Sequence, residues 1–274
     1  MLSDVGAPEV ADNGLEVVDL YTDPAFTSRA PRQRDDARHM EGMRRLARTF
    51  VEDPDSILQE LVDAAVDLCG AESAGISMKE LAPDGTVTYH WVATAGTYAR
   101  FMDAVLPATP SACGLCLERG RPQRFRVTER FFDILQVQAE VAEDGILIPW
   151  SVDDSRGTIW IISHTDSRAF DAQDAKTMEL LADFAAMAVR QGTQRKLVLQ
   201  QASAAAAAAM ANDLAHHINN PLQGLTNLVY LAAGDPQDAN VRALAGQMSE
   251  DLARLSRLVQ SLLALPLGPR RSAS

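Results

Sequence analysis

The sequence predicts an α+β fold: an antiparallel sheet with flanking helices, joined by a long helix to an α-helical hairpin. Three patterns predict it. One pair of segments alternates apolar and polar residues with period two around a turn signal, and a second pair of segments flanks another turn. Runs with helical period lie before and after them. An alanine-rich stretch then leads into two apolar stripes parted by Gly234-Asp235-Pro236.

In chain order, residues 1–33 are acidic and broken by Pro8, Pro24 and Pro31, and read as a flexible tail in which Val17, Val18 and Leu20 are able to dock as a short strand. Met40, Met43, Leu46 and Phe50 recur at helical spacing between Arg34 and Val51. Asp53-Pro54 reads as a helix start, with proline at the first position. That helix runs through Ile57, Leu58, Leu61, Val62 and Val66 to Gly70. The period then becomes two. Ala74, Ile76 and Met78 alternate with Gly75, Ser77 and Lys79, Pro83-Asp84-Gly85 turns the chain, and Val87, Tyr89, Trp91 and Ala93 alternate with Thr88, His90 and Val92.

Gly96 to Glu143 reads as short helices and loops around a strand at Gln123 to Val127. A second hairpin joins Ile146–Val152 to Thr158–His164 through Asp153-Asp154-Ser155-Arg156-Gly157. Asp171 opens a long helix whose buried stripe is Met178, Leu181, Ala185 and Ala188. It continues through the run Ala204 to Ala209, and alanine makes this a stiff connector. A last helix carries Leu244, Met248, Leu252, Leu255, Val259 and Leu262 on one face.

Composition excludes several functions. A chain of 274 residues suggests about two domains. Its net charge of −12 opposes attraction to nucleic acid or anionic membranes. No apolar run approaches the ~20 residues that cross a bilayer, and Met1-Leu2-Ser3-Asp4-Val5 lacks the features of a secretory signal. The expected compartment is the cytoplasm. Three cysteines give no disulfide framework.

The stretch Leu214-Ala215-His216-His217-Ile218-Asn219-Asn220-Pro221-Leu222 holds the strongest chemical signal. Leu214, Ile218, Leu222, Leu225 and Val229 form one helical stripe. At ~100° per residue His216 points about 150° from its centre. Asn220 follows one turn later on the same side, with Gln223 and Asn227 beyond. Much unperturbed imidazole is neutral near pH 7, with a pKa of about 6.5, and its free nitrogen is able to attack phosphorus. Periodicity alone leaves open a plain polar face that happens to hold two histidines.

The box His216-His217-Ile218-Asn219-Asn220-Pro221-Leu222 resembles the phosphoacceptor segment of bacterial sensor histidine kinases whose box reads H-E-I-N-N-P-L. The resemblance covers residues 200–265. It implies that His216 accepts the phosphoryl group and Asn220 assists phosphatase action. His217 replaces an acidic residue that serves the family as a base, a loss typically worth about 10²–10⁴-fold. His217 is thus a candidate base, with a solvated or interface histidine as the alternative.

Kinases of this family carry an ATP-binding domain after the acceptor helices. This sequence stops soon after Leu265 and contains no Walker-type or G-x-G-x-x-G loop. The expectation is that it does not autophosphorylate unaided and that a separate kinase or ATP-binding protein serves it. Met1 and the absence of a tag favour a short natural protein; a fragment of a full kinase is the alternative, as is a non-catalytic scaffold. The partner implied is a response-regulator receiver domain, which supplies Mg2+, in a phosphorelay. Two stripes of this kind close a core when two copies form a four-helix bundle, so a homodimer is expected.

Ile148-Pro149, Gly157 at a turn, Phe170, Asp174, Leu180-Leu181 and Ala185, with Ser111-Ala112-Cys113-Gly114-Leu115-Cys116-Leu117-Glu118, resemble the GAF domain, a small-molecule sensor. That resemblance implies an antiparallel sheet of about five or six strands with helices packed on it. Bilin-binding members follow the anchoring cysteine with histidine. Here Gly114 follows Cys113 and Leu117 follows Cys116, so no covalent cofactor is expected, and the ligand is not readable. Zinc at Cys113 and Cys116 needs about two further ligands, and only Cys69 and scattered histidines remain, so no metal site is expected. Thiol redox sensing and plain helix packing stay open for the pair. His90 meets either a pocket or solvent, with no haem role, while Trp91, Trp150 and Trp160 read as core or pocket wall. The expected organisation is a tail over 1–33, a GAF-like sensor over 34–192, a connector over 193–212, the phosphotransfer hairpin over 213–265 and a tail over 266–274.

Overall fold

The computed structural model describes residues 13–234 and 238–263. The chain parts into two compact units between Arg195 and Lys196. The first unit is built on one sheet of seven strands: β1 (Leu15–Asp19), β2 (Ser73–Leu81), β3 (Val87–Gly96), β4 (Val105–Pro107), β5 (Gln123–Val127), β6 (Ala142–Val152) and β7 (Ser155–Ser163). Neighbours are antiparallel in the order β1-β5-β6-β7-β2-β3-β4. The helices are α1 (Pro24–Thr27), α2 (Asp36–Glu52), α3 (Ile57–Cys69), α4 (Ala112–Arg119), α5 (Glu129–Leu135) and α6 (Ala172–Gly234).

Alternation along the strands feeds two cores. Ile146, Ile148, Ile159 and Ile161 face one side, where Leu46 of α2, Leu61 and Val62 of α3, and Met178 and Leu181 of α6 cover them. Leu147, Trp160 and Ile162 face the other side with Phe131 of α5 and Cys116 of α4. Both faces are covered, which is why 146–148 and 159–162 read as unbroken apolar runs rather than as alternating ones. Turn chemistry sets the hairpins. Gly85 has φ +85° between β2 and β3, and Asp153 has φ +49° between β6 and β7; short hairpin loops favour such left-handed residues.

Four expectations are corrected. The flexible tail does not hold over residues 13–33. The short strand allowed at Val17 and Val18 is present as β1, which pairs with β5 from Leu15–Val127 to Asp19–Gln123, and Leu20 and Phe26 are buried. Arg29, Arg32 and Arg34 then find buried carboxylates at Asp144, Asp174 and Asp171, and the segment's acidic Glu16, Asp19 and Asp23 pair with Arg124 and Arg121. Residues 1–12 lie outside the described residues. Asp53-Pro54 does not open a helix: Asp53 ends α2, accepting from Ser56 Oγ at 2.6 Å, and α3 starts at Ile57. Gly157 lies within β7 opposite Trp150, because the β6–β7 loop is only Asp153-Asp154. The sheet has seven strands because β1 and β4 add short edges.

A capping box starts α6. Asp171 Oδ1 accepts from Asp174 N at 3.2 Å, and Asp174 Oδ2 accepts from Asp171 N at 2.8 Å. Burial raises the Asp171 carboxyl, but Arg34 and the backbone N–H groups of Arg32, Gln173 and Asp174 outweigh it and hold it well below the usual range. Its folded value thus lies below an unfolded value of about 3.9. The stabilisation it brings is complete above that pH and drains away as pH falls through the folded value. In urea titrations between pH 7 and pH 2, the gap in midpoint between wild type and Asp171→Asn should shrink below pH 4. A gap that stays constant across that range contradicts this.

The second unit is a helical hairpin, the distal part of α6 and α7 (Asp238–Leu263). The two approach closely at Gly224, where a Cβ would stand 2.9 Å from Asp251 Oδ2. Asp235 and Pro236 of the break, and the tail 266–274, lie outside the described residues, as do the side chains of Val229, Leu244, Val259 and Leu262. Among the described residues no helix is long and apolar enough to cross a membrane.

Candidate functional site

The first unit holds a cavity of about 220 Å3 under the second face of its sheet. Strands β1 and β3 to β7, helices α4 and α5 and the helical turn after β3 build it. β1, β5, β6 and β7 form the floor, β3 brings Trp91, and α4 and α5 close it with Ala112 and Phe132. Trp160 reaches the floor because Gly75 on the adjacent strand has no side chain: a Cβ there would stand 2.2 Å from the indole. Trp91 packs on Trp160 at 4.8 Å between centroids. Tyr98 and Phe101, from the helical turn after β3, meet edge to face at 5.3 Å.

The polar atoms of the wall are mostly committed. Tyr98 Oη donates to Glu140 O at 2.5 Å, and burial raises its phenol well above the ordinary value. Ser111 Oγ accepts from Gly114 N at 3.1 Å as the α4 cap. Thr158 Oγ1 donates to Cys113 Sγ at 3.3 Å. Trp91 Nε1 and Trp160 Nε1 are buried without a partner.

Both thiols of α4 are buried, and burial raises each above the usual thiol range. Cys116 Sγ donates weakly to Leu147 O at 3.7 Å. A protonated, covered thiol is a poor nucleophile, which favours the packing role. Among the described residues no group of three or more His, Cys, Asp or Glu is placed to hold a metal ion. His90 lies outside the cavity wall, between Glu80 at 2.9 Å and Asp103 at 3.3 Å. Trp150 is buried in the opposite core.

A pair that sequence reasoning missed is Ser73 and His164. His164 Nδ1 lies 2.7 Å from Val141 O, which only accepts, so Nδ1 donates and Nε2 receives the Ser73 hydroxyl at 2.8 Å. The arrangement copies a nucleophile, base and orienting group. Ser73 is fully buried and accepts from Tyr98 N, so the pair locks the turn that carries Tyr98. The α5 wall was missed as well; Thr128-Glu129 before Phe131, Phe132 and Leu135 is the start signal that reveals it.

In the second unit, His216, His217 and Asn220 are exposed on α6. His216 and Asn220 are one turn apart and share a face. His217 Nε2 lies 3.6 Å from Asp213 Oδ1. Leu214, Ile218 and Leu225 are half-buried, while Leu222 is 46% exposed. Pro221 sits buried within the helix, where it removes one backbone hydrogen bond just after the turn that carries His216.

A family model described as GAF domain matches residues 51–190. No curated protein shows a significant match. Among solved structures, the phycoerythrobilin-bound GAF domain of a cyanobacterial phytochrome is 14% identical, covering 59% of this chain and 100% of that one with a TM-score of 0.43. The GAF domain of a phosphoenolpyruvate-protein phosphotransferase from Coxiella burnetii is 16% identical over 58% of this chain and 99% of that one, TM-score 0.45. Its counterpart from Acinetobacter is 12% identical over 57% and 94%, TM-score 0.44. With the family model spanning just over half of its residues, the chain belongs to the GAF domain family.

Proposed function

We propose that this is a two-component signalling protein, in which the GAF unit senses a small molecule and controls phosphoryl exchange between His216 and an aspartate of a receiver domain. The observation that carries the reading is His216, exposed on α6 within a box of acceptor type, with exposed Asn220 one turn on. The neutral imidazole attacks the phosphorus of the receiver's aspartyl phosphate. A nitrogen–phosphorus bond forms as the acyl phosphate bond breaks and the carboxylate leaves; the reverse step loads the receiver. The receiver supplies Mg2+, and an aligned site does the rest. Asn220 orients water for dephosphorylation. Asp213 supports a role for His217, since it keeps a carboxylate near the ring that occupies the family's acidic position.

The hairpin acts as a homodimer in this reading. Leu222 and Leu252 are 46% and 56% exposed in the single chain, and a four-helix bundle gives such residues cover. Residues 34–192 serve as sensor, 193–212 as connector and 213–265 as the phosphotransfer hairpin, working in the cytoplasm, with phosphoryl groups entering from a separate kinase or ATP-binding protein. The test is to incubate the full chain with each phosphorylated receiver domain of the host. One receiver should lose its phosphate to wild type, and His216→Ala should reduce the transfer to background. Asn220→Ala should retain the transfer and slow the hydrolysis. Equal action of wild type and His216→Ala on every receiver overturns the reading and leaves a dimeric scaffold.

A further inference from the structure

We infer that the cavity takes an uncharged, largely apolar molecule of one or two rings. The inference rests on the reading of the GAF unit as the sensor and names its ligand class.

Volume sets the size. The cavity measures about 220 Å3. An engineered cavity of about 150 Å3 binds benzene, while drug-sized ligands occupy roughly 300–1,000 Å3. The space therefore exceeds one small ring and falls short of a tetrapyrrole. Val105 and Val137, 59% and 44% exposed, belong to the wall and bring it to the surface.

Charge sets the class. Among the described residues, no Asp, Glu, Lys, Arg or His side chain belongs to the wall. A nucleotide phosphate or a carboxylate entering here leaves its water and meets no counter-charge, which is far costlier than burying a neutral molecule. The first free N–H groups of α4 offer little substitute, since Gly114 N is already held by Ser111.

Tyr98, Ser111 and Cys113 are engaged within the protein. Trp91 Nε1 and Trp160 Nε1 are buried away from open space, and the nitrogen edge of Trp160 lies against Gly75, so the wall presents rings and aliphatic groups rather than a polar handle.

The experiment is calorimetric titration of the full chain with four probes: 2-acetylnaphthalene, its charged near-isostere 2-naphthoate, naphthalene and cyclic GMP. The ketone and naphthalene should both bind saturably with a negative heat-capacity change, each about tenfold or more tighter than naphthoate. Cyclic GMP should give no saturable heat. Ala139→Phe and Ala104→Phe each fill the wall at a half-buried position and should weaken the ketone about tenfold with thermal unfolding unchanged. Tighter binding of naphthoate or cyclic GMP than of the ketone overturns the class, as does the absence of ketone binding. Ketone affinity unchanged in both filled variants places the probe elsewhere and also overturns it. Ketone binding in a protein whose His216→Ala variant acts like wild type on receivers removes the phosphotransfer reading and leaves the ligand class intact.

Discussion

Arg29→Ala should lower stability to unfolding by about 3–5 kcal/mol, the usual cost of stripping one partner from a buried ion pair. Arg29 and Asp144 are 5% and 0% exposed in their side chains. The guanidinium holds the carboxylate at 2.5 and 3.1 Å and donates to Phe170 O at 2.7 Å. Burial already raises the Asp144 carboxyl above its ordinary value, against the opposing pull of Arg29. Without Arg29 that rise grows. The folded protein then binds a proton that the unfolded chain, with a value near about 3.9, still lacks. Stability of the variant therefore gains as pH falls through the raised value. Denaturant midpoints should show a wide gap from wild type at pH 8 and a narrower one at pH 5. A gap that is absent at pH 8, or widest at pH 5, contradicts the assignment. Arg29→Met with Asp144→Leu removes both charges and should recover much of the loss.

The second large effect is expected at Gly157. A Cβ at this position would stand 2.0 Å from the Ser77 carbonyl oxygen and 2.3 Å from the Trp150 ring. Neither neighbour yields easily. Ser77 O belongs to the paired strand β2, and Trp150 is 4% exposed in the core. Overpacking of a core costs about 1–3 kcal/mol, and displacement of a central ladder puts Gly157→Ala at the upper end or beyond. Gly192 is the control. It is exposed on α6 with nothing within 4 Å of a Cβ, so Gly192→Ala should stabilise by up to about 1 kcal/mol. Equal thermal shifts for the two variants contradict this account.

The two candidate sites differed in how far they were legible. The outward setting of His216 and Asn220 follows from local helical period, because a residue's direction on a helix depends only on its distance along it. The cavity has no such local code. Leu15 and Phe131 meet across 116 positions only because β1 lies beside β5 and α5 follows it. Trp91 and Trp160 were expected as core or wall; that both line the cavity follows from β3 and β7 flanking β2 in the sheet.

Alternation and turn residues located β2, β3 and β5 and the hairpin of β6 and β7, though not where β6 and β7 begin, and helical period marked the long α6. Each is a short-range property of the backbone. Tertiary structure alone packed residues 20–33 onto the first unit, since acidic and proline-rich composition implies solvation until distant side chains pair the segment's charges. It alone moved Gly157 from a turn into a crowded strand. It alone opened a chargeless cavity, because empty volume arises where elements remote in the chain fail to fill the space between them.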